Sequence, residues 1–98
     1  MEIVRVDAQE PRTNLVLVHG AWHGAWCWHD GFAQRLAERQ ISTTCPSLRG
    51  HAGSAEGVRL NRVRMRDYVD DLAALVAGME TPPFIAGHSM GGGVVQGL

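Results

Sequence analysis

Apolar positions along the chain follow two rhythms that alternate. Ile3 to Val6 is a short apolar run, too brief to define an element by pattern alone. Asn14 opens a clearer signal: Leu15, Val16, Leu17 and Val18 follow one another without alternation and stop at His19-Gly20. An unbroken branched run closed by glycine predicts a parallel strand buried on both faces. From about Trp28 the period lengthens. Trp28, Phe32 and Leu36 recur every four residues, with Gln34, Arg35, Glu38 and Arg39 facing away, which predicts an amphipathic helix of about three turns. Ile41 to Cys45, with Thr43 and Thr44, favours a strand that Pro46 ends. Leu48 to Arg59 carries Gly50, Gly53 and Gly57 and reads as an exposed loop. A second helix is expected from an Asn61 cap to about Met79, with Met65, Val69, Leu72, Val76 and Met79 on its apolar side. Arg66, Asp67, Asp70 and Asp71 fall on the wet side. Thr81-Pro82-Pro83 breaks that helix. Phe84 to Ala86 then forms a short strand, and a glycine-rich turn leads into the apolar segment Val94 to Leu98. Strand and helix in strict alternation imply an α/β fold, with a mostly parallel sheet and helices on both faces.

Composition narrows the partners. The chain has 98 residues, enough for one domain, with nine basic and ten acidic residues and a net charge of −1. Nucleic acid and anionic membranes reward a basic excess, so neither is expected as a partner. All nine basic residues are arginine, which removes Schiff-base chemistry and the phosphate-loop lysine. No apolar run approaches the ~18 residues of a membrane helix, and MEIVRVDAQE lacks a signal pattern. Cys27 and Cys45 supply no disulfide framework, so a cytoplasmic setting is expected.

The chemistry concentrates in Gly87-His88-Ser89-Met90-Gly91, a Gly-x-Ser-x-Gly set between a buried strand and a helix start. A serine aimed out of a sheet edge must sit on a very tight, strained turn. Side chains two residues to either side of it would strike the neighbouring strand and helix, so Gly87 and Gly91 are required there. Ser89 is the candidate nucleophile. A His-Gly leaving a central strand can place a backbone N–H opposite that serine, so Ala21 and Met90 are the expected oxyanion donors. A turn-rich segment, Leu48-Arg49-Gly50-His51-Ala52-Gly53-Ser54, follows the next strand.

These three pieces resemble the α/β-hydrolase family, and HGAWHGAWCW at His19 to Trp28 is similar to its small esterases, including plant methyl esterases and hydroxynitrile lyases. The resemblance runs from Leu15 onward. It implies Ser89 as nucleophile, Ala21 and Met90 as oxyanion donors, and His19, Gly20, His23 and Trp26 beside the pocket. It also implies a small-molecule ester or acyl substrate, with no cofactor and no metal. The loop departs from the family's Arg-Gly-His-Gly-x-Ser at Ala52, and Ser47 stands where an Asp is frequent.

The family's chain order is Ser, then an acid, then His, and none of the nine residues after Ser89 is either. The chain is therefore expected to be the N-terminal part, residues 1–98, of a single hydrolase domain. Its C-terminal half would be absent and its activity almost nil. The Phe84 strand should then lack a neighbour, leaving a marginal or aggregation-prone monomer. Upstream histidines make poor substitutes as the base. His88 should point away on its sharp turn, His51 should tie down its loop, His29 should be solvated, and His19 and His23 should be neutral and bonded to backbone. His19, His23 and Cys27 are spaced by four, but Gly20 and Gly24 interrupt any helix that could align them on a metal. Of Trp22, Trp26 and Trp28, at least two are expected to pack on the sheet. Two alternatives to an esterase stay open: a lyase on the same site, or a catalytically dead interaction module.

Overall fold

The computed structural model describes residues 1–98. Four strands, β1 (Ile3–Val6), β2 (Thr13–Val18), β3 (Ile41–Pro46) and β4 (Phe84–Gly87), form one sheet in the order β1-β3-β2-β4. Three helices, α1 (Phe32–Glu38), α2 (Met65–Ala77) and α3 (Met90–Gly97), connect or follow them. β3, β2 and β4 are parallel, and β1 joins the edge antiparallel to β3, with Ile3 opposite Pro46 and Val6 opposite Thr43. The expected α/β class with a mostly parallel sheet is the observed one.

The sheet has two apolar faces because β2 is buried on both. Val16 and Val18 point to one side, where they meet Leu48, Tyr68, Leu72 and Val94 under α2 and α3. Leu17 points to the other, with Ala25, Cys45, Trp28 and Leu36 under α1. An unbroken apolar run is what such a strand needs, and the run at Leu15–Val18 supplies it.

Several boundaries differ from the sequence reading. α1 begins at Phe32, not Trp28, and has seven residues. Trp28 ends a separate 3₁₀ turn, Ala25–Trp28, and the chain then reverses at Gly31 with φ +102°, a conformation that suits glycine. α2 starts after Arg64, whose backbone N–H donates to the Asp67 carboxylate at 2.8 Å; Asn61 lies in the preceding 3₁₀ turn, Leu60–Arg62. The loop after β3 is not wholly exposed, since Ser47, Leu48 and His51 are buried. Of the three tryptophans only Trp28 packs on the sheet; Trp22 and Trp26 are 81% and 58% exposed.

β2 is the point where the strand order reverses. The chain leaves it through α1 to β3 on one side, then crosses through α2 to β4 on the other. The loops leaving the carboxyl ends of β2 and β4 therefore diverge around a crevice, the place where open α/β sheets bind ligands.

β4 pairs only with β2, so its second edge is open. The parallel register sets Phe84 beside Leu15 and Ala86 beside Leu17 on the α1 face. α1 lies over β3 and β1 instead, and Phe84 is 71% exposed. An apolar face joined to a free strand edge invites self-association. Phe84→Lys is expected to raise the monomeric fraction in size-exclusion chromatography. Unchanged self-association would locate the adhesive surface elsewhere.

Candidate active site

Ser89 is the second of the two residues, His88 and Ser89, that join β4 to α3, and has φ 56° and ψ −120°. Left-handed backbone of this kind costs a residue with a β-carbon about 1–3 kcal/mol and persists only where the surroundings enforce it. Here they do. A β-carbon on Gly87 would overlap the Gly91 carbonyl, and one on Gly91 would overlap the Val18 carbonyl at the end of β2. The His88 N–H donates to the Val18 carbonyl at 3.0 Å, and the Gly91 N–H to the His88 carbonyl at 2.9 Å. The turn is clamped to the end of β2, and Ser89 is left exposed.

The loop after β2 approaches the same point. A β-carbon on Gly20 would lie 3.2 Å from that of Ser89, so the two loops touch at this glycine. Beyond it the Ala21 N–H makes no hydrogen bond. The Met90 N–H, first in α3, has no carbonyl four residues back within its helix. Both residues border one cavity of about 490 Å³, whose other walls come from Trp22, His51, Leu60, Asn61 and Tyr68. Two further hollows, beside Asp7–Glu10 and beside Met1 and Arg49, lie away from the serine.

The residues expected beside the pocket separate. Gly20 meets Ser89. His19 does not line the cavity: it is fully buried, its Nδ1 2.7 Å from the Gly20 carbonyl and its Nε2 accepting from the Leu48 N–H at 2.9 Å. A carbonyl can only accept, so the proton sits on Nδ1. Burial holds the ring's pKa below the usual histidine range, with the Gly20 contact opposing the shift. This is the backbone-bonded neutral histidine expected. His23 and Trp26 are exposed and stack on each other, centroids 5.4 Å apart, outside the cavity wall. Ser89 Oγ hydrogen-bonds to no histidine or carboxylate, and no three His, Cys, Asp or Glu side chains converge as metal ligands.

Three cavity residues were not legible as such. His51 reads as a loop tie, Asn61 as a cap, and Tyr68 carried no assignment. The available signal was the spacing Tyr68-Leu72-Leu75, which puts the tyrosine on the buried stripe of α2.

Two braces hold the loop that brings His51 in. Arg49 grips Asp71 with two hydrogen bonds, Nε to Oδ2 at 3.0 Å and a terminal nitrogen to Oδ1 at 2.7 Å, and lies 3.6 Å from Asp67. These acids are thus not simply a wet face; they dock the loop on α2. The second brace centres on Ser47. Its hydroxyl accepts the Ala25 N–H at 3.0 Å and donates to the Glu2 carboxylate, which also accepts the Gly53 N–H at 3.1 Å. Ser47, in the position where an Asp is frequent, thus links the 3₁₀ turn at Ala25 to Glu2. No helix is long and apolar enough to cross a membrane. Cys45 is buried, which pushes its thiol up to about 11.

The sheet with its flanking helices agrees with the comparisons. The profile of the alpha/beta hydrolase family matches residues 15–97, and the chain belongs to that family. It is 35% identical over 89 residues to a carbendazim hydrolyzing esterase of Nocardioides sp. (strain SG-4G), covering 87% of this chain and 35% of that one. It is 32% identical over 95 residues to norfluorocurarine synthase 2 of a Strychnos species, covering 94% and 34%. The fold superposes on the thioesterase domain from the curacin biosynthetic pathway with a TM-score of 0.83 at 19% identity, covering 97% of this chain and 33% of that chain. The chain thus spans about a third of the length of the proteins it matches.

The Glu2 brace is acid-sensitive. The Ser47 hydroxyl, then the Gly53 N–H, hold the Glu2 carboxyl below its ordinary value of 4.5, against a small opposing effect of burial. A depressed carboxyl contributes stability above its unfolded pKa and loses it as pH falls through the folded value. Glu2→Gln should therefore be less stable than the parent at neutral pH, with the gap closing below pH 4.5. Urea unfolding across that range checks this; parallel curves for the two proteins would mean the carboxylate contributes nothing.

Proposed function

We propose that residues 1–98 carry the nucleophile and oxyanion site of a carboxylic-ester hydrolase. Ser89 attacks the acyl carbon, its oxygen forming the new C–O bond while the carbonyl electron pair moves onto oxygen. The N–H groups of Ala21 and Met90 receive that oxyanion. Collapse of the tetrahedral adduct expels the alcohol and leaves an acyl-Ser89, which water then hydrolyses. Donors already oriented toward developing charge need no reorganisation as it forms, and one such donor is worth about 10²–10³ in turnover. The observation that carries this reading is the strained Ser89 on its clamped turn, beside two residues with uncommitted N–H groups that share one cavity.

The proton on Ser89 needs a base and the base an orienting acid. We assign both to residues outside 1–98, because no histidine here bonds to Ser89 Oγ. A second reading, a non-hydrolytic reaction on the same site, draws on the relative named as a synthase. Substrate profiling of a complete enzyme separates the two, since only a hydrolase releases acid and alcohol together.

The test is hydrolysis of p-nitrophenyl acetate by the 98-residue chain and by any longer polypeptide that source cells make from it. The longer species should turn over, and Ser89→Ala should lower its kcat by about 10⁴–10⁶. The 98-residue chain should show no Ser89-dependent turnover. Such turnover from the short chain would show that it holds its own base.

A further inference from the structure

We propose that the 490 Å³ cavity beside Ser89 is the subsite for the substrate's acyl substituent, and that His51 selects acyl groups carrying a hydroxyl or N–H. This rests on the proposed function and extends it to a class of substrate: a flat, compact acyl body with a hydrogen-bond donor at its far side.

The position follows from the chemistry. An acyl carbon held between Ser89 and the Ala21 and Met90 N–H groups has its substituent next to the cavity that those two residues border. The volume is in the range of small-molecule sites, about 300–1,000 Å³. Its walls are largely apolar: Trp22, Leu60 and Tyr68 offer flat or branched surface. Trp22 is held there with φ 66°, a strained conformation that leaves its indole exposed at the rim. A planar or short branched group gains most from such walls, by burial and by stacking.

The selectivity comes from a nitrogen that the fold leaves unused. His51 is 5% exposed, and its ring lies 5.1 Å from that of His19 and 6.1 Å from that of Tyr68, centroid to centroid. Its Nδ1 is 3.1 Å from the Arg49 carbonyl, which can only accept, so Nδ1 carries the proton. In the neutral ring Nε2 is then a lone-pair acceptor. It makes no hydrogen bond, yet it is not among the polar atoms sealed from solvent without a partner, which are Trp28 Nε1 and Thr43 Oγ1. His51 lines the cavity, and a ligand O–H or N–H placed there against Nε2 would be the partner it lacks. A group that fills the cavity without donating would strip solvent from this acceptor and leave it unpaired, which penalises that group.

The experiment measures binding, separately from turnover. Para- and meta-hydroxybenzamide present a carbonyl and a donor but resist cleavage, and the matching methoxybenzamides cannot donate. Binding to the wild-type protein is followed by tryptophan fluorescence and by the ring-nitrogen NMR shifts of His51. At least one hydroxyamide should bind about tenfold more tightly than its methoxy partner. The His51 Nε2 resonance should move on binding, and His51→Phe, which keeps a ring between His19 and Tyr68, should erase the preference. Equal affinities, an unmoved Nε2 resonance, or a preference retained in folded His51→Phe would each overturn the proposal. If His51→Phe does not fold, the wild-type resonance decides. Absence of p-nitrophenyl acetate turnover in the longer species, with amide selectivity intact, would fail the ester-hydrolase reading alone.

Discussion

The contact on which the candidate site depends is between two stretches of backbone, the end of β2 and the start of α3. Gly91 lies so close to the Val18 and His19 carbonyls that no side chain fits between them, and the His88 N–H is bonded to Val18. That approach forces the chain to turn from strand to helix within two residues, and Ser89 takes the left-handed conformation as the consequence. It also brings the loops leaving β2 and β4 together at the point where the strand order reverses. A helix packed a few ångströms farther out would relax the turn and part Ala21 from Met90.

Around this contact the structure spends its polar side chains on bracing. His19 is buried with both ring nitrogens committed to backbone, one to Gly20 and one to Leu48, and so ties the β2 loop to the β3 loop. Ser47 and Glu2 tie the β3 loop to the 3₁₀ turn and to the N-terminal strand. Arg49 ties the same loop to α2 through Asp71. Each brace pairs a polar side chain with a partner on another element, and together they hold the loop that carries His51 into the cavity wall. Strain at one residue persists because many ordinary hydrogen bonds oppose its release.

The sheet is less complete on the other side. β4 carries the site at its carboxyl end while its outer edge has no partner and Phe84 stands exposed. The chain spans about a third of the length of its relatives. The well-packed face, with Val16, Val18, Leu72 and Val94, lies under α2 and α3, directly beneath the serine turn.

The alternation of strand and helix, the strand-turn-helix around Ser89 and the α/β class were legible because each follows from local pattern: the unbroken Leu15–Val18 run, helical spacing, and glycines two residues either side of a serine. Boundaries were less so. Trp28 keeps four-residue spacing with Phe32, yet Gly31 turns the chain between them, and Asn61 could cap a helix that starts only after Arg64. What the tertiary structure alone decided is which distant residues meet. Glu2 with Ser47, Arg49 with Asp71 and His51 with Tyr68 are separated in sequence by whole elements, and their pairing depends on strand order and helix placement. Periodicity reports which face of an element is apolar, because that is a property of adjacent residues. It carries no record of what the face will touch, because packing is settled only when all the elements close on one another.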